Sequence, residues 1–207
     1  MSSSEAITPT RREQLKAQRR RQLLEAGARL IADRGFPGVR LDDLGAAAGI
    51  SGPAVYRHFP NKEALLVELL VGISTRLFEG GRAVAEQAES PRSALSGLIE
   101  FHLDFALGEP ELIRIQDRDL ESLPESARRQ VRRLQRQYVE IWVGVLRGLH
   151  PELDETAARV KAHATFGLIN STPHSAAPTL AGRARPILRE MAWAALSRAT
   201  DQRAEPA

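Results

Sequence analysis

Four residues, Ala48-Gly49-Ile50-Ser51, constrain this chain more than any other feature. Before them, "VRLDDLGAAAG" sets Leu41, Leu44 and Ala48 on one face of a short helix over 41–48 that ends at Gly49. After them, Ser51 can cap a second, very short helix in which Val55 and Phe59 turn inward at i, i+4 spacing. That spacing leaves Tyr56, Arg57 and His58 accessible. Two short helices with narrow apolar faces and a tight glycine link form a helix-turn-helix, whose second helix enters the DNA major groove.

The rest of the chain reads as helix. From Arg20 to Arg34, Leu23, Ala26, Gly27, Leu30 and Ile31 form an amphipathic stripe that "RGFPG" breaks. Asn61 can cap a fourth helix carrying Leu65, Leu66, Leu69, Leu70, Ile73 and Leu77 on one side, with Gly80-Gly81 expected to bend or end it. Later helices are predicted near 92–107, 110–121, 124–149, 155–171 and 183–199, bounded by proline or glycine. The expected fold is all-α with about nine helices, without a strand, hairpin or repeat pattern. Residues 1–10 and 201–207 lack periodicity and are expected to fray.

Charge separates the two ends. Residues 1–62 hold 11 Lys/Arg against 6 Asp/Glu, whereas 63–207 hold 18 against 20, so the basic excess lies at the helix-turn-helix end. An anionic partner at that end, double-stranded DNA first, follows. There is no cysteine, which excludes disulfides and thiolate metal sites and fits a reducing compartment. No apolar run suits a signal core or a membrane helix, so the expected location is cytoplasmic, with no membrane partner.

Residues 20–70, above all "GISGPAVYRHFPNKEALL", resemble the DNA-binding head of the tetracycline-repressor (TetR) family of regulators. The order of helix, short helix, glycine turn, "YRHF" and a lysine opening a long helix is more specific than a generic helix-turn-helix. The resemblance implies an all-helical homodimer. Each chain would have an N-terminal three-helix DNA-binding domain and a C-terminal ligand-binding and dimerisation domain whose small effector lowers DNA affinity. The expected organisation is a basic arm over 1–19, a head over 20–62, a body over 63–200 and a tail over 201–207.

Within the head, small side chains from Ser51 through Gly52, Pro53 and Ala54 let the backbone approach the groove and aim the helix dipole at a phosphate. With Ser51 as N-cap, Pro53 lacks the N–H, so the serine hydroxyl would reach Ala54 N–H; with Gly52 as cap, Ser51 is free for phosphate. Arg57 is the expected base reader, by bidentate pairing with guanine, against the alternative of a phosphate clamp. Tyr56, His58 and Lys62 match the phosphate-contacting positions that the resemblance implies, the alternative being a solvated helix edge. Arg40 stands where the family often has a threonine or serine cap. It can contact phosphate or pair locally with Asp42 and Asp43. Gly45 falls where alanine is common, and close packing of the first two helices is one explanation. The run "RREQLKAQRRR" can lie along the DNA backbone or remain a solvated tail.

In the body, the resemblance places a four-helix dimer interface in the last two helices, where Val160, Ala164, Leu168, Ile187, Leu188, Met191, Ala195 and Leu196 are the candidates; the alternative is monomer core. Candidate effector contacts are Phe101, His102, Phe105, Arg114, Gln116, Tyr138, Trp142, His163, Phe166 and Asn170, which combine apolar walls with a few polar groups. They suit a partly hydrophobic effector, acyl-type or drug-like. His102, His163 and His174 show no ligand spacing, so no metal or cofactor is expected. "INSTPHSAAP" has Ser171, Thr172 and His174 but no nucleophile-elbow glycines, so no catalytic residue is assigned and the chain is not expected to be an enzyme. "RRQVRRLQRQ", over 128–137, reads as a solvated face paired with nearby acids rather than a DNA contact. A nucleic-acid-binding structural protein without an effector is the competing class.

Overall fold

The computed structural model describes residues 10–171 and 181–198. Among them are nine α-helices: α1 (Arg11–Arg34), α2 (Leu41–Ala48), α3 (Gly52–Tyr56), α4 (Lys62–Gln87), α5 (Pro91–Gly108), α6 (Pro110–Asp119), α7 (Glu125–Leu149), α8 (Glu155–Asn170) and α9 (Ala181–Leu196). A 3-10 turn over Leu120–Ser122 joins α6 to α7. No strand occurs among the described residues.

The first helix starts at Arg11, not at Arg20 as its apolar stripe suggested. Thr10 and Glu13 form a capping box, in which the Thr10 side chain accepts from Glu13 N–H and the Glu13 carboxylate accepts from Thr10 N–H at 2.7 Å. Most of the segment expected as an arm is therefore an exposed basic extension of α1, a change that hydrophobic periodicity cannot register because no side chain there is buried. Residues 1–9 and 201–207, Thr172 and His174 lie outside the described residues.

α1, α2 and α3 pack around Leu23, Ile31, Leu44, Val55 and Phe59, all shielded from solvent. Gly49 closes α2 with φ 65° and ψ 33°, the left-handed geometry that favours glycine, and Ile50 N–H returns to Gly45 carbonyl at 2.9 Å. A Cβ on Gly45 would sit 2.9 Å from Ile50 O and 3.3 Å from a Val55 methyl. That glycine thus serves the α2–α3 turn rather than the α1–α2 contact proposed from sequence.

α4 and α7 share the most extensive helix pairing in the body, with α5, α8 and α9 laid around them. α4 runs unbroken through Gly80 and Gly81, contrary to the expected bend. These glycines instead admit rings: a Cβ on Gly80 would lie 2.4 Å from Phe101 Cζ, and one on Gly81 2.4 Å from Tyr138 Cε2. At the far end, buried His150 donates from Nε2 to Leu196 carbonyl at 2.9 Å and ties α7 to α9.

The expected dimer set divides. Leu188 and Leu196 are buried in the chain's own core and cannot form part of an outer surface, and Leu168 is half-buried. Val160, Ile187 and Met191 are 63%, 56% and 48% exposed, and Ala164 and Ala195 share those faces at helical spacing.

Two glycines of α4 should respond oppositely to alanine. Gly81→Ala overpacks against Tyr138 and is expected to lower unfolding stability by about 1–3 kcal/mol. Gly72→Ala, whose Cβ would meet nothing within 4 Å, is expected to raise it by roughly 0.5–1 kcal/mol in denaturant titration.

Candidate nucleic-acid interface and effector cavity

α3 has only five residues, and its accessible side chains are set by what holds it from behind. Val55 and Phe59 are fully buried, so Tyr56 and Arg57, between them, are turned outward; Tyr56 is 51% exposed. Ser51 is the N-cap, but its side chain makes no capping bond. Ala54 N–H goes instead to Ser51 backbone carbonyl at 2.9 Å. The hydroxyl remains at the exposed helix start beside Pro53, with Gly52 and Ala54 half-buried. A Cβ on Gly52 would lie 2.7 Å from Asp42 Oδ1, so the close approach there is internal as well as a matter of groove access.

A residue that the sequence placed only within the basic run organises this surface. Arg20 of α1 donates from Nε to Glu68 Oε1 at 2.7 Å and pairs with Glu68 Oε2. It also reaches the His58 carbonyl at 2.6 Å and lies over the Phe59 ring at 4.5 Å. α1, the end of α3 and α4 are thereby locked together. Such an arginine is indistinguishable in sequence from its basic neighbours, since its acceptors are 38 and 48 residues away.

His58 is held below the ordinary histidine range, first by burial and then by the charges of Arg20, Lys16 and Arg19, so it presents neutral imidazole at neutral pH. The same influence puts the basic extension of α1 beside α3. Lys62 donates to Phe36 carbonyl at 3.2 Å and to Pro37 carbonyl at 3.4 Å and stacks on the Phe36 ring at 4.6 Å, so it braces the α1–α2 corner. Arg40 is exposed at the N-cap of α2. Its N–H donates to Asp43 Oδ2 at 2.9 Å, while that carboxylate pairs with Arg34 at 3.9 Å. No ion pair involves the Arg40 guanidinium among the described residues, so of the two alternatives read from sequence the local pair does not form.

Inside the body lies a cavity of about 260 Å³. Seven of the ten candidate effector contacts line it: His102, Phe105, Gln116, Tyr138, His163, Phe166 and Asn170. Phe101 packs over Gly80, Arg114 is not in the wall, and Trp142 lies fully buried one layer behind, its ring centre 5.1 Å from that of Phe166. Ser74, Leu77, Ile113, Asp117, Gln135 and Val139 complete the wall. They were missed because helical spacing identifies which residues turn inward, not which inward residues stand beside a gap.

The deep wall is a polar chain set in aromatic rings. His102 Nε2 lies 3.1 Å from Asn170 Oδ1, and Tyr138 hydroxyl lies 3.3 Å from His102 Nδ1. With Nε2 donating to the asparagine carbonyl, Nδ1 accepts the tyrosine proton. Burial lowers the His102 pKa to about 4, opposed in part by the Asn170 hydrogen bond, and burial also raises that of Tyr138. Ser74 donates its proton to Leu70 carbonyl at 2.7 Å. The deep end is therefore polar but uncharged, with the Asn170 amide among its donors and the buried Trp142 Nε1, unpartnered among the described residues, just behind.

α6 joins cavity and head. Ile113, Gln116 and Asp117 face the cavity, while Arg118 grips the end of α1 through Ala32 carbonyl at 3.2 Å and through Ile31 carbonyl. Asp119, buried, accepts Phe36 N–H at 3.2 Å and pairs with Arg118 at 3.0 Å.

A helix-turn-helix head locked to a helical body with an internal cavity defines a two-part, all-helical DNA-binding protein. The sequence matches "Bacterial regulatory proteins, tetR family" over residues 23–69 and "Tetracyclin repressor-like, C-terminal domain" over 88–174; the chain belongs to the TetR family. It is 29% identical over 132 residues to the transcriptional repressor KstR2 of Rhodococcus jostii, covering 63% of this chain and 65% of that one. The chain thus spans just under two thirds of the length of such curated relatives. The fold matches the TetR-family regulator PfmR of Thermus thermophilus with a TM-score of 0.72 at 21% identity, covering 93% of this chain and 99% of that one. It also matches AibR in complex with isovaleryl coenzyme A and operator DNA, with a TM-score of 0.71 at 20% identity over 87% and 100% of the two chains.

His102 gives a pH test. Its folded pKa of about 4 lies below the ordinary 6.5, so the unfolded chain binds its proton first as pH falls. Its contribution is complete above about pH 6.5 and is lost towards pH 4, on the order of 3 kcal/mol by linkage. His58 adds in the same direction. Denaturant melts across this window are expected to show a shallower acid loss for His102→Gln than for the parent chain.

Proposed function

We propose that this chain is a ligand-responsive, dimeric transcriptional regulator, a repressor that binds a near-palindromic operator and is released by a small, partly hydrophobic effector. The observation that carries this reading is α6, which walls the cavity and, within the next two residues, grips the head. An effector pressing on Gln116 and Asp117 moves the helix whose Arg118 and Asp119 fix the end of α1. Coupling then takes the form of differential affinity, since the head geometry that suits DNA and the α6 position that admits the effector are different states.

At the DNA, Arg57 reads base edges, while Tyr56, Ser51, Arg40 and the α1 extension hold phosphates. Lys62 and neutral His58 support the helix from behind as well as standing near the backbone. The exposed apolar stripe of Val160, Ala164, Ile187, Met191 and Ala195 is covered by a second copy, which sets the spacing of the two heads. The uncharged deep end favours a neutral acyl carbonyl, accepting from Asn170, over a free carboxylate, for which it holds no counter-charge. Isovaleryl coenzyme A, the compound seen with AibR, is an effector of this type. A regulator of this kind acts on DNA in the cytoplasm. No helix among the described residues is long and apolar enough to cross a membrane.

Fluorescence titrations against DNA fragments that include the region upstream of its own gene, at two salt concentrations, test the first half. Arg57→Ala is expected to lose about 1–3 kcal/mol of discrimination at one base step of each half-site, and Tyr56→Phe to weaken all fragments alike. Equal binding to every fragment by the parent chain would remove the operator reading. For the second half, Asp119→Asn is expected to leave effector affinity for the DNA-free protein within a few fold while sharply reducing effector-driven DNA release.

A further inference from the structure

The α7 arginines do not all behave as a solvated, acid-paired face. Arg128 and Arg132 both pair with Glu121 at 2.6 Å, and Arg129 pairs with Glu125. Arg133 and Arg136 make no ion pair among the described residues. Arg129, Arg132, Arg133 and Arg136 nevertheless line one open groove together with Ser126 and Gln130. Their spacings, i, i+3 and i, i+4, bring like charges side by side, which destabilises a helix unless an anion lies between them. Glu125 and Glu121 offset Arg129 and Arg132, which leaves the charge of Arg133 and Arg136 unbalanced by any carboxylate pair among the described residues.

The groove borders the stretch of α7 that lines the effector cavity through Gln135, Tyr138 and Val139. Gln135, which lines the cavity, lies between Arg132 and Arg136 in the chain; Arg132 is one turn before it on the same side of α7. That step is about 4.5 Å along the helix axis. The cavity wall is only partly closed here, since Asp117 and His163 are exposed and Gln135 half-buried. Moreover, about 260 Å³ falls below the ~300–1,000 Å³ typical of pockets that enclose a whole drug-sized ligand. A molecule whose acyl end fills the cavity must leave its remaining bulk outside.

We propose that this groove seats the phosphate groups of a nucleotide-type carrier, a CoA thioester, whose acyl end occupies the cavity. The proposal rests on the acyl-effector reading and adds the recognition of the carrier. Arginine suits the task, because its planar fork meets phosphate oxygens in pairs. Glu121 holds Arg132 in the free protein, and a phosphate exchanges for it on binding. DNA phosphate is the rival anion. The groove's neighbour is the cavity wall, however, whereas the side chains exposed for DNA are on α1, α2 and α3 of the head.

The test compares isovaleryl-CoA with the isovaleryl thioester of N-acetylcysteamine, which keeps the acyl group and sulfur but has no phosphate, with binding followed by tryptophan fluorescence and calorimetry. The parent chain is expected to bind the CoA thioester about tenfold or more tightly than the phosphate-free one. Arg132→Gln/Arg136→Gln is expected to erase most of that difference and leave the phosphate-free thioester unchanged, with a cooperative melting curve that shows the variant folded. Equal affinities in the parent chain, or an equal loss for both compounds in the variant, would overturn the phosphate seat while leaving the acyl-effector reading intact. Binding of neither compound would overturn both. Weaker operator binding by the effector-free variant, with a smaller salt slope, would assign the groove to DNA instead and likewise overturn the proposal.

Discussion

The buried carboxylate of Asp119 sets the geometry on which the rest of this molecule depends. A carboxylate removed from water must be matched by charge and hydrogen bonds, and breaking such a match strands it at high cost. Asp119 meets that demand with Arg118 from its own helix and the N–H of Phe36 from the α1–α2 corner, while Arg118 accounts for two carbonyls at the end of α1. The joint therefore fixes the head on the body by directional polar contacts rather than by apolar area alone. Apolar contact tolerates sliding, whereas this joint has discrete arrangements, which is the property a switch requires.

On the head side of the joint, Lys62 continues the bracing through Phe36 and Pro37, and Arg20 ties α1 to α4 and the end of α3. On the body side, the glycines of α4 let Phe101 and Tyr138 approach its backbone, and Tyr138 then places its hydroxyl against His102. Beside that contact, the polar edges of His102, Tyr138 and Asn170 line the deep end of the cavity.

Much of the fold was legible in the sequence because helices announce themselves locally. Periodic leucines placed α4, the prolines at 91 and 110 opened α5 and α6, and Gly49 closed α2. The errors share one cause. Residues 11–19 form helix without a buried face, Gly80 and Gly81 serve neighbouring helices rather than their own, and Leu188 and Leu196 sit on the inner side of a helix whose outer side is also apolar. In each case the deciding neighbour is remote along the chain. The site was legible to the same degree: His102, Tyr138 and Asn170 were named, but their hydrogen-bonded chain was not; Arg20 figured only within the basic run, and Arg118 and Asp119 had no assigned role.

The sequence by itself determined the helix order, the helix-turn-helix, the outward placement of Tyr56 and Arg57, and the basic excess of the N-terminal end, because each follows from spacing within a few turns of helix. Tertiary structure alone decided which apolar residues enclose a cavity, which charges are used internally, and that α6 touches both cavity and head. Those outcomes depend on side chains separated by tens of residues being brought within hydrogen-bond reach. Periodicity specifies faces; only packing specifies which faces meet.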